Sequence, residues 1–318
     1  MNTNRTCGCK SFNTCYVCES ELGIVKEDAA KLRLAQFAHT YTYCPENETI
    51  VTQDGEGGGE RRMKFPGFKL IRDFVTEDEE SSLMEKMDLL PWTASQSGRR
   101  KQNYGPKANF KKRKAKQGDF RGFPDCTKFI QDRFSTVPML SGYKTVEQCS
   151  IEYRPETGSC IEPHIDDCWI WGERIVQLNL LSDSWLTCTP YTAGREDGGK
   201  RYNLADVDTY PKVLDPDSQS VLFNPFDNSL EDQSVEPYER RRGACSVQGV
   251  VRVPLPRRSL LVMFNEPRYD WEHCVLREDV VARRVVIAYR EFTPTYLPGG
   301  SREVFGSSVL NAAKMFWT

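Results

Sequence analysis

Three residues in the second half of the chain have the types, order and spacing of a metal site. His164 and Asp166 are separated by one residue, so in a β-strand their side chains leave the same face. His273 follows a separate apolar segment, Ser259–Phe264, and can supply a third ligand from another strand. Two histidines and one carboxylate on one side of an ion are typical of non-haem Fe(II) oxygenases. The alternative is an ordinary exposed histidine beside a carboxylate.

Two arginines in the segment Arg283–Arg290 predict an anion site. Arg284 and Arg290 are six residues apart, so in a strand they share one face with Val286 and Ala288. Buried charge must be paired, and a guanidinium binds a carboxylate with paired hydrogen bonds. A dicarboxylic acid cosubstrate fits this face. The alternative is an edge strand with both arginines in solvent.

A second possible metal site lies at the start of the chain. Cys7, Cys9, Cys15 and Cys18 have a spacing that can surround one tetrahedral Zn(II) ion. So short a segment has too few apolar residues to fold without the folding energy that a bound metal supplies. We predict a structural zinc ion here. An iron–sulfur cluster and a flexible, reduced tail are the alternatives.

A strongly basic segment, residues 98–121, predicts an acidic partner. It carries ten Lys and Arg residues against the single acidic residue Asp119, with interleaved aromatic residues. Such a stretch can follow a phosphate backbone, dock on an acidic protein, or act as a nuclear import signal around Lys111–Lys114. A solvated loop without a partner is the remaining alternative. The candidate substrate residues of this segment are Arg99, Arg100, Lys101, Tyr104 and Lys107.

The elements that position these residues are mainly strands. Short apolar segments alternate with turns from Thr145 to Phe292, which predicts a mostly β protein with a double-stranded β-helix, or jelly roll. Phe68–Ile71 is predicted as a strand, and a helix is predicted to begin at Thr76 with a capping box completed by Glu79. Further flanking helices are predicted at residues 123–134 and 309–316.

The chain divides, on this pattern, into three parts. Residues 1–60 are predicted as a Cys-rich N-terminal module and linker, residues 61–300 as the jelly roll, and residues 301–318 as a C-terminal helical segment. Within the jelly roll, residues 187–245 are predicted as a surface insertion, rich in turn residues. The 318 residues carry a formal net charge of −2, and no run approaches eighteen apolar residues, so no membrane association is expected.

Taken together, these motifs resemble those of the AlkB-type Fe(II)/2-oxoglutarate-dependent dioxygenases. Within that family the chain is most similar to the branch of the fourth AlkB homologue. The segments that carry the family resemblance are Glu147–Tyr153, Pro163–Asp166, Arg268–His273 and Arg284–Arg290. The branch markers are the four N-terminal cysteines, Ser97–Gln102, Tyr104–Lys107 and Asp167–Arg174.

The resemblance implies that residues 97–122 form the substrate lid, and it implies roles for the candidate residues. His164, Asp166 and His273 would be the iron ligands, Arg284 would hold the distal carboxylate of 2-oxoglutarate, and Arg290 would lie near its keto-acid end.

The family's Asn-x-Tyr cosubstrate motif is matched only in part. Tyr153 corresponds to its tyrosine, but Ile151 stands where the asparagine is expected. Ser150 is the nearest polar candidate.

The family's chemistry is oxidative N-demethylation with release of formaldehyde. The branch implies monomethylated lysine on actin as substrate, with actomyosin components as partners and the cytoplasm and nucleus as locations. Methyladenine in DNA is the second hypothesis, and an interaction protein with a vestigial site is the third. Trp169, Trp171 and Tyr269 are candidate aromatic walls for a methylammonium group, or else plain core residues.

Overall fold

The computed structural model describes residues 7–9, 14–23, 31, 34–52, 62–191, 235–236, 247 and 249–318, and two large β-sheets contain most of the strand residues among them. In spatial order, the eight-stranded sheet contains β11 (Ile161–His164), β17 (Trp271–Val275), β13 (Ser184–Pro190), β15 (Val250–Leu255), β1 (Thr40–Cys44), β2 (Thr49–Thr52), β3 (Arg62–Lys64) and β14 (Val235–Glu236). The seven-stranded sheet contains β4 (Phe68–Ile71), β16 (Leu260–Met263), β12 (Trp171–Leu180), β18 (Arg284–Phe292), β10 (Glu147–Tyr153), β6 (Arg100–Tyr104) and β5 (Thr93–Ala94). The remaining strands form two small pairs, β7 (Lys107–Asn109) with β8 (Lys114–Lys116) and β9 (Phe123–Pro124) with β19 (Phe316–Trp317).

The two large sheets pack face to face around one apolar core. Tyr43 and Val251 of the eight-stranded sheet lie in the same buried cluster as Ile175, Val286 and Met263 of the seven-stranded sheet. Because strand residues alternate between faces, the other face of the seven-stranded sheet has its own apolar layer. This architecture confirms the predicted jelly roll.

The described residues also form five α-helices, two of which cover that second face. They are α1 (Tyr16–Leu22), α2 (Glu77–Asp88), α3 (Lys128–Arg133), α4 (Asn265–Tyr269) and α5 (Glu303–Ala312), of which α2 and α3 pack on the outer layer. Leu83 and Met87 of α2 and Ile130 of α3 are buried with Val176 and Ile287 of the sheet. The predicted capping box is confirmed, since the Thr76 hydroxyl accepts from Glu79 N–H at 3.2 Å and Glu79 Oε2 accepts from Thr76 N–H at 2.9 Å.

Several boundaries differ from the sequence prediction. β1 pairs with β15 and β2, so residues 40–52 belong to the jelly roll and not to a separate N-terminal module. The helix predicted at 123–134 is shortened to α3, because β9 pairs with β19 at the C-terminus. The C-terminal helix ends at Ala312, before β19.

Part of the predicted insertion and the glycine-rich linker, residues 192–234 and 54–59, lie outside the described residues. β13 continues to Pro190, so the insertion begins later than residue 187. The described helices include none that is long and apolar enough to cross a membrane.

Candidate active site

His164, Asp166 and His273 come together at one edge of the eight-stranded sheet. β11 pairs with β17, and His164 lies directly opposite His273, with ring centroids 4.4 Å apart. β11 ends at His164, so Asp166 reaches the group from the following loop and not from the strand itself. One ligand atom from each of the three residues lies within 4.8 Å of the others.

Asp166 presents one carboxylate oxygen to the centre of this group. Its Oδ1 accepts hydrogen bonds from Arg290 Nε at 2.8 Å and Nη2 at 2.7 Å. Its Oδ2 is 3.7 Å from His273 Nε2 and is buried without a hydrogen-bond partner among the described residues. Burial raises the pKa of Asp166, but neighbouring positive charge, above all that of Arg290, outweighs it and lowers the pKa, so the carboxylate is ionised at neutral pH.

Both histidines are neutral at neutral pH. Burial lowers the pKa of His273 to about 3 and also lowers the pKa of His164. His164 Nδ1 lies 2.8 Å from the Glu162 carbonyl oxygen, so a proton on Nδ1 leaves the lone pair on Nε2. Two neutral imidazoles and one carboxylate suit a divalent metal such as Fe(II).

Arg290 is already paired within the protein. Besides Asp166, it donates from Nη1 to Glu147 Oε2 at 2.6 Å, and its guanidinium carbon lies 5.7 Å from the centre of the Trp171 ring. Two carboxylates therefore balance its charge, and the anion inferred from the sequence is needed only for Arg284. Arg290 and Trp171 orient Asp166, and Glu147 was missed by the sequence analysis.

Arg284 lies on β18 of the seven-stranded sheet, as Arg290 does. It has no carboxylate partner among the described residues. Its residue surface is 1% exposed, and β18 runs between β12 and β10, which excludes the edge-strand alternative. Its Nε donates to Asn179 Oδ1 at 2.6 Å, while Nη1 is buried without a partner in the described structure. Asp279, whose charge also acts on Arg284, is bound by Arg252 at 2.6 Å.

Tyr153 completes the surroundings of Arg284. The two residues are directly opposite in the pairing of β10 and β18, and the guanidinium carbon is 5.0 Å from the ring centre. A buried guanidinium with an unpaired N–H fits the distal carboxylate of 2-oxoglutarate. Asn179, which holds Arg284 in place, also escaped the sequence analysis, although a polar residue in the apolar strand β12 was a usable signal.

Ser150 does not join this group. It is opposite Ile287 in the pairing of β10 and β18, and Ile287 belongs to the apolar layer under α2 and α3. Tyr153 is three residues away and therefore points to the opposite face. This alternation contradicts the prediction that Ser150 replaces the missing asparagine at the position of Ile151.

The structure places the basic candidate residues in different environments. Arg100 donates to Glu152 Oε1 at 2.7 Å, Tyr104 packs against Trp317 with ring centroids 5.7 Å apart, and both are therefore held in structural contacts. Arg99 donates from Nε to the Gln96 carbonyl oxygen at 3.1 Å, and after burial its charge also lowers the pKa of His164. Lys101 is exposed on β6, and Lys107, at the base of the β7–β8 hairpin, forms an ion pair with Asp119 at 2.5 Å.

The three aromatic candidate residues also lie in different surroundings. Trp169 contacts Phe110 at the tip of the β7–β8 hairpin, with ring centroids 6.4 Å apart, and Phe110 is 49% exposed. Tyr269 is buried in a small cluster with Ile165, where Arg268 lies 4.9 Å from its ring. Trp169 is thus the aromatic residue that faces the lid, whereas Trp171 supports Arg290.

No family model matches the chain, but it is similar to known proteins over nearly its full length. The chain is 38% identical over 313 residues to "Alpha-ketoglutarate-dependent dioxygenase alkB homolog 4" of Homo sapiens, and 36% identical over 310 residues to the protein of the same name from Mus musculus. Each alignment covers 98% of this chain and 94% of the relative. A "DNA N6-methyl adenine demethylase" of Caenorhabditis elegans is 28% identical over 329 residues, covering 97% of this chain and 94% of that protein. By its full-length similarity to these relatives, the chain belongs to the AlkB family of alpha-ketoglutarate-dependent dioxygenases.

Proposed function

We propose that the chain is an oxidative N-demethylase that uses Fe(II) and 2-oxoglutarate. His164, Asp166 and His273 would hold the iron, and Arg284 with Tyr153 would hold the distal carboxylate of 2-oxoglutarate. The observation that carries this proposal is the unpaired, buried N–H of Arg284 in the same jelly roll as a histidine–aspartate–histidine group. When bound, iron and 2-oxoglutarate supply the oxidising power for hydroxylation of an N-methyl carbon by O2.

The residues of the chain prepare the site for that chemistry. Arg290 holds one oxygen of Asp166 and so leaves the other oxygen directed at the metal position. Burial keeps both imidazoles neutral, which makes them ligands without a proton to lose. Asn179 fixes Arg284, so the cosubstrate carboxylate meets a preorganised donor.

The proposed substrate is monomethylated lysine in a protein, and by resemblance that protein is actin. The aromatic pair Phe110 and Trp169 supports this choice, because aromatic faces attract methylammonium groups. Actomyosin components would then be the partners, in the cytoplasm and nucleus.

Methylated adenine in DNA is the second candidate substrate. The β7–β8 hairpin carries Lys111, Lys112 and Lys114, all exposed, and such a surface can neutralise phosphates. One relative is named for demethylation of that base.

One experiment tests both the activity and the substrate. The purified chain is incubated with Fe(II), 2-oxoglutarate and ascorbate, and with either a methyl-lysine actin peptide or an N6-methyladenine oligonucleotide, and both succinate and formaldehyde are measured. Formaldehyde equal to succinate with the peptide alone supports the lysine proposal, and the same result with the oligonucleotide alone replaces it by the DNA proposal. Neither product, with iron shown to be bound, would contradict demethylation and favour a non-catalytic interaction protein.

A further inference from the structure

The cysteine cluster, which consists of Cys7, Cys9, Cys15 and Cys18, lies outside the candidate active site. One Sγ atom from each residue lies within 4.8 Å of all the others. Cys9, Cys15 and Cys18 are buried, Cys7 is half-buried, and all four are free thiols. The four cysteines lie between residues 7 and 18, and the fold of this short segment brings their sulfur atoms together.

The sulfur spacing matches a single tetrahedral ion. A Zn–S bond of about 2.3 Å in tetrahedral geometry places the sulfur atoms about 3.8 Å apart, and Cys15 Sγ lies 3.8 Å from Cys18 Sγ. A disulfide needs about 2.05 Å between its sulfur atoms. An iron–sulfur cluster spreads its cysteine ligands over several metal ions, which does not fit four mutually close sulfur atoms.

The backbone around the cluster is arranged as it is around metal thiolates. Cys15 is the N-cap of α1, and its N–H donates to Cys18 Sγ at 3.2 Å, which stabilises negative charge on that sulfur. The apolar cluster of this segment contains the cysteines themselves, with Val17 packed against them. With so small an apolar core, the fold of this segment depends on what binds the thiols.

This N-terminal segment packs on the loop that leads into β11. Gly98 has φ +71°, and a Cβ atom there would lie 3.0 Å from Cys15 Cβ and 2.7 Å from the Thr157 carbonyl oxygen. The Gly98 carbonyl oxygen accepts from Thr157 Oγ1 at 2.9 Å and from Ser159 Oγ at 2.8 Å. The cluster, the turn at Gly98 and the loop at 155–160 therefore form one continuous set of contacts.

A second contact joins the same segment to the end of β17. Arg277, two residues after that strand, donates to Glu19 of α1 at 3.0 and 2.5 Å. It also donates to the Thr14 carbonyl oxygen at 3.1 Å, and its guanidinium carbon lies 4.9 Å from the Tyr16 ring centre. β11 and β17 carry His164 and His273, and β11 is the outermost strand of its sheet.

We propose that the cysteine cluster binds one Zn(II) ion, and that this ion holds residues 7–9 and 14–22 against the loop before β11. The site is structural, because four protein thiolates leave no open position for a reacting group. Zinc thereby restrains the edge of the sheet that carries His164, from a position outside the iron site.

Metal analysis of the full-length chain tests the zinc assignment. We expect one zinc per chain in the wild type, none in the double variant Cys15→Ser/Cys18→Ser, and an unchanged iron content in both after loading with Fe(II). Cys126→Ser, a half-buried free cysteine elsewhere, is the matched control and keeps its zinc. Zinc retained by the double variant, or iron in place of zinc at this site, would overturn the proposal.

Two further measurements do not depend on the folding of a variant. Cobalt exchanged into the wild-type zinc site is expected to give the visible d–d bands of a tetrahedral thiolate complex; a pale octahedral spectrum would contradict the assignment. Removal of zinc by a chelator is expected to speed amide exchange at residues 95–99 and 155–160, with no change in β18. Equal exchange with and without zinc would refute the restraint on the loop. Neither measurement uses turnover, so failure of the proposed demethylase activity is a separate result.

Discussion

At the scale of single residues, the candidate site contains two arginines with different tasks. Arg290 is bound between Asp166 and Glu147 and sets the orientation and charge of a candidate metal ligand. Arg284 is held by the neutral Asn179 and keeps an unpaired donor. Strand alternation alone places both arginines on one face, but of the two only Arg284 has a buried side-chain nitrogen without a partner among the described residues.

Asp166→Asn is expected to remove iron binding and reduce turnover to background. The substitution keeps the shape of the side chain but removes the negative charge that a divalent ion requires at this position. Iron content and succinate production provide the measurements. His39→Ala is the control, because His39 is exposed and is the one histidine of the chain outside the candidate site, and it should leave iron content and succinate production unchanged. Iron retained by Asp166→Asn would show that another group supplies the carboxylate ligand.

Arg284→Ala is expected to raise the KM for 2-oxoglutarate about tenfold to a hundredfold. Hydrogen bonds to charged groups contribute about 1.5–3 kcal/mol each, and the alanine variant loses them without touching the metal ligands. The KM for 2-oxoglutarate and the Fe(II) affinity are measured in parallel. Arg72→Ala removes a surface arginine and serves as control. An equal loss of iron affinity would indicate that Arg284 is structural.

At the scale of elements, the β7–β8 hairpin is the part of the predicted lid that is free of the large sheets. β6 belongs to the seven-stranded sheet, so Arg100 and Tyr104 serve the fold. Among the described strands, β7 and β8 pair only with each other, and the hairpin places Phe110 beside Trp169. Substrate selection is therefore expected to depend on the hairpin more than on the strand before it.

The variant Lys111→Ser/Lys112→Ser/Lys114→Ser tests that expectation. It should raise the KM for the methylated substrate while the slow, substrate-independent conversion of 2-oxoglutarate stays constant, because no residue of the iron site changes. If DNA is the substrate, the slope of log affinity against log salt should fall by about 0.9 for each phosphate that the variant no longer neutralises. A KM equal to that of the wild type would exclude the hairpin from substrate binding.

Thr76→Ala is expected to destabilise the chain by about 1 kcal/mol, since the N-cap hydroxyl of α2 is lost. Urea unfolding, followed by circular dichroism, measures the change in the free energy of unfolding. Ser81→Ala, at an exposed position inside the same helix, is the control and should have little effect. If Thr76→Ala does not change the free energy of unfolding measurably, Glu79 and its ion pair with Arg133 are sufficient to stabilise the start of the helix.

At the scale of the whole molecule, both sheets contribute to the candidate site. His164 and His273 belong to the eight-stranded sheet, whereas Arg284, Arg290 and Tyr153 belong to the seven-stranded sheet. The site therefore exists only when the two sheets are packed together. Ligands that bind there stabilise the folded state by mass action.

Thermal unfolding tests this connection. Mn(II) and the unreactive 2-oxoglutarate analogue N-oxalylglycine, each at a hundredfold excess over its dissociation constant, should each stabilise the chain by about 2.7 kcal/mol and raise its Tm. In Arg284→Ala the Mn(II) shift should persist and the N-oxalylglycine shift at the same concentration should shrink. An unaltered N-oxalylglycine shift would place the analogue elsewhere on the protein.

The sequence by itself determined the features that depend on residue type and local spacing. The jelly roll and the start of α2 follow from alternation and capping along the chain, and the family motif groups His164 with Asp166. Full-length similarity to relatives fixes the family. These features depend on local conformational preferences or on complete sequence motifs, and both can be recognised from the amino-acid sequence without the structure.

Tertiary structure decided which charges are already satisfied and which side chains meet. Only strand pairing shows that Glu147 faces Arg290, that Asn179 holds Arg284 and that Ser150 faces the other layer. It also brings the cysteine cluster to the loop before β11 and places residues 40–52 in the large sheet. These outcomes depend on register and on contacts between residues distant in the chain, because a shift of one residue reverses every side chain in a strand.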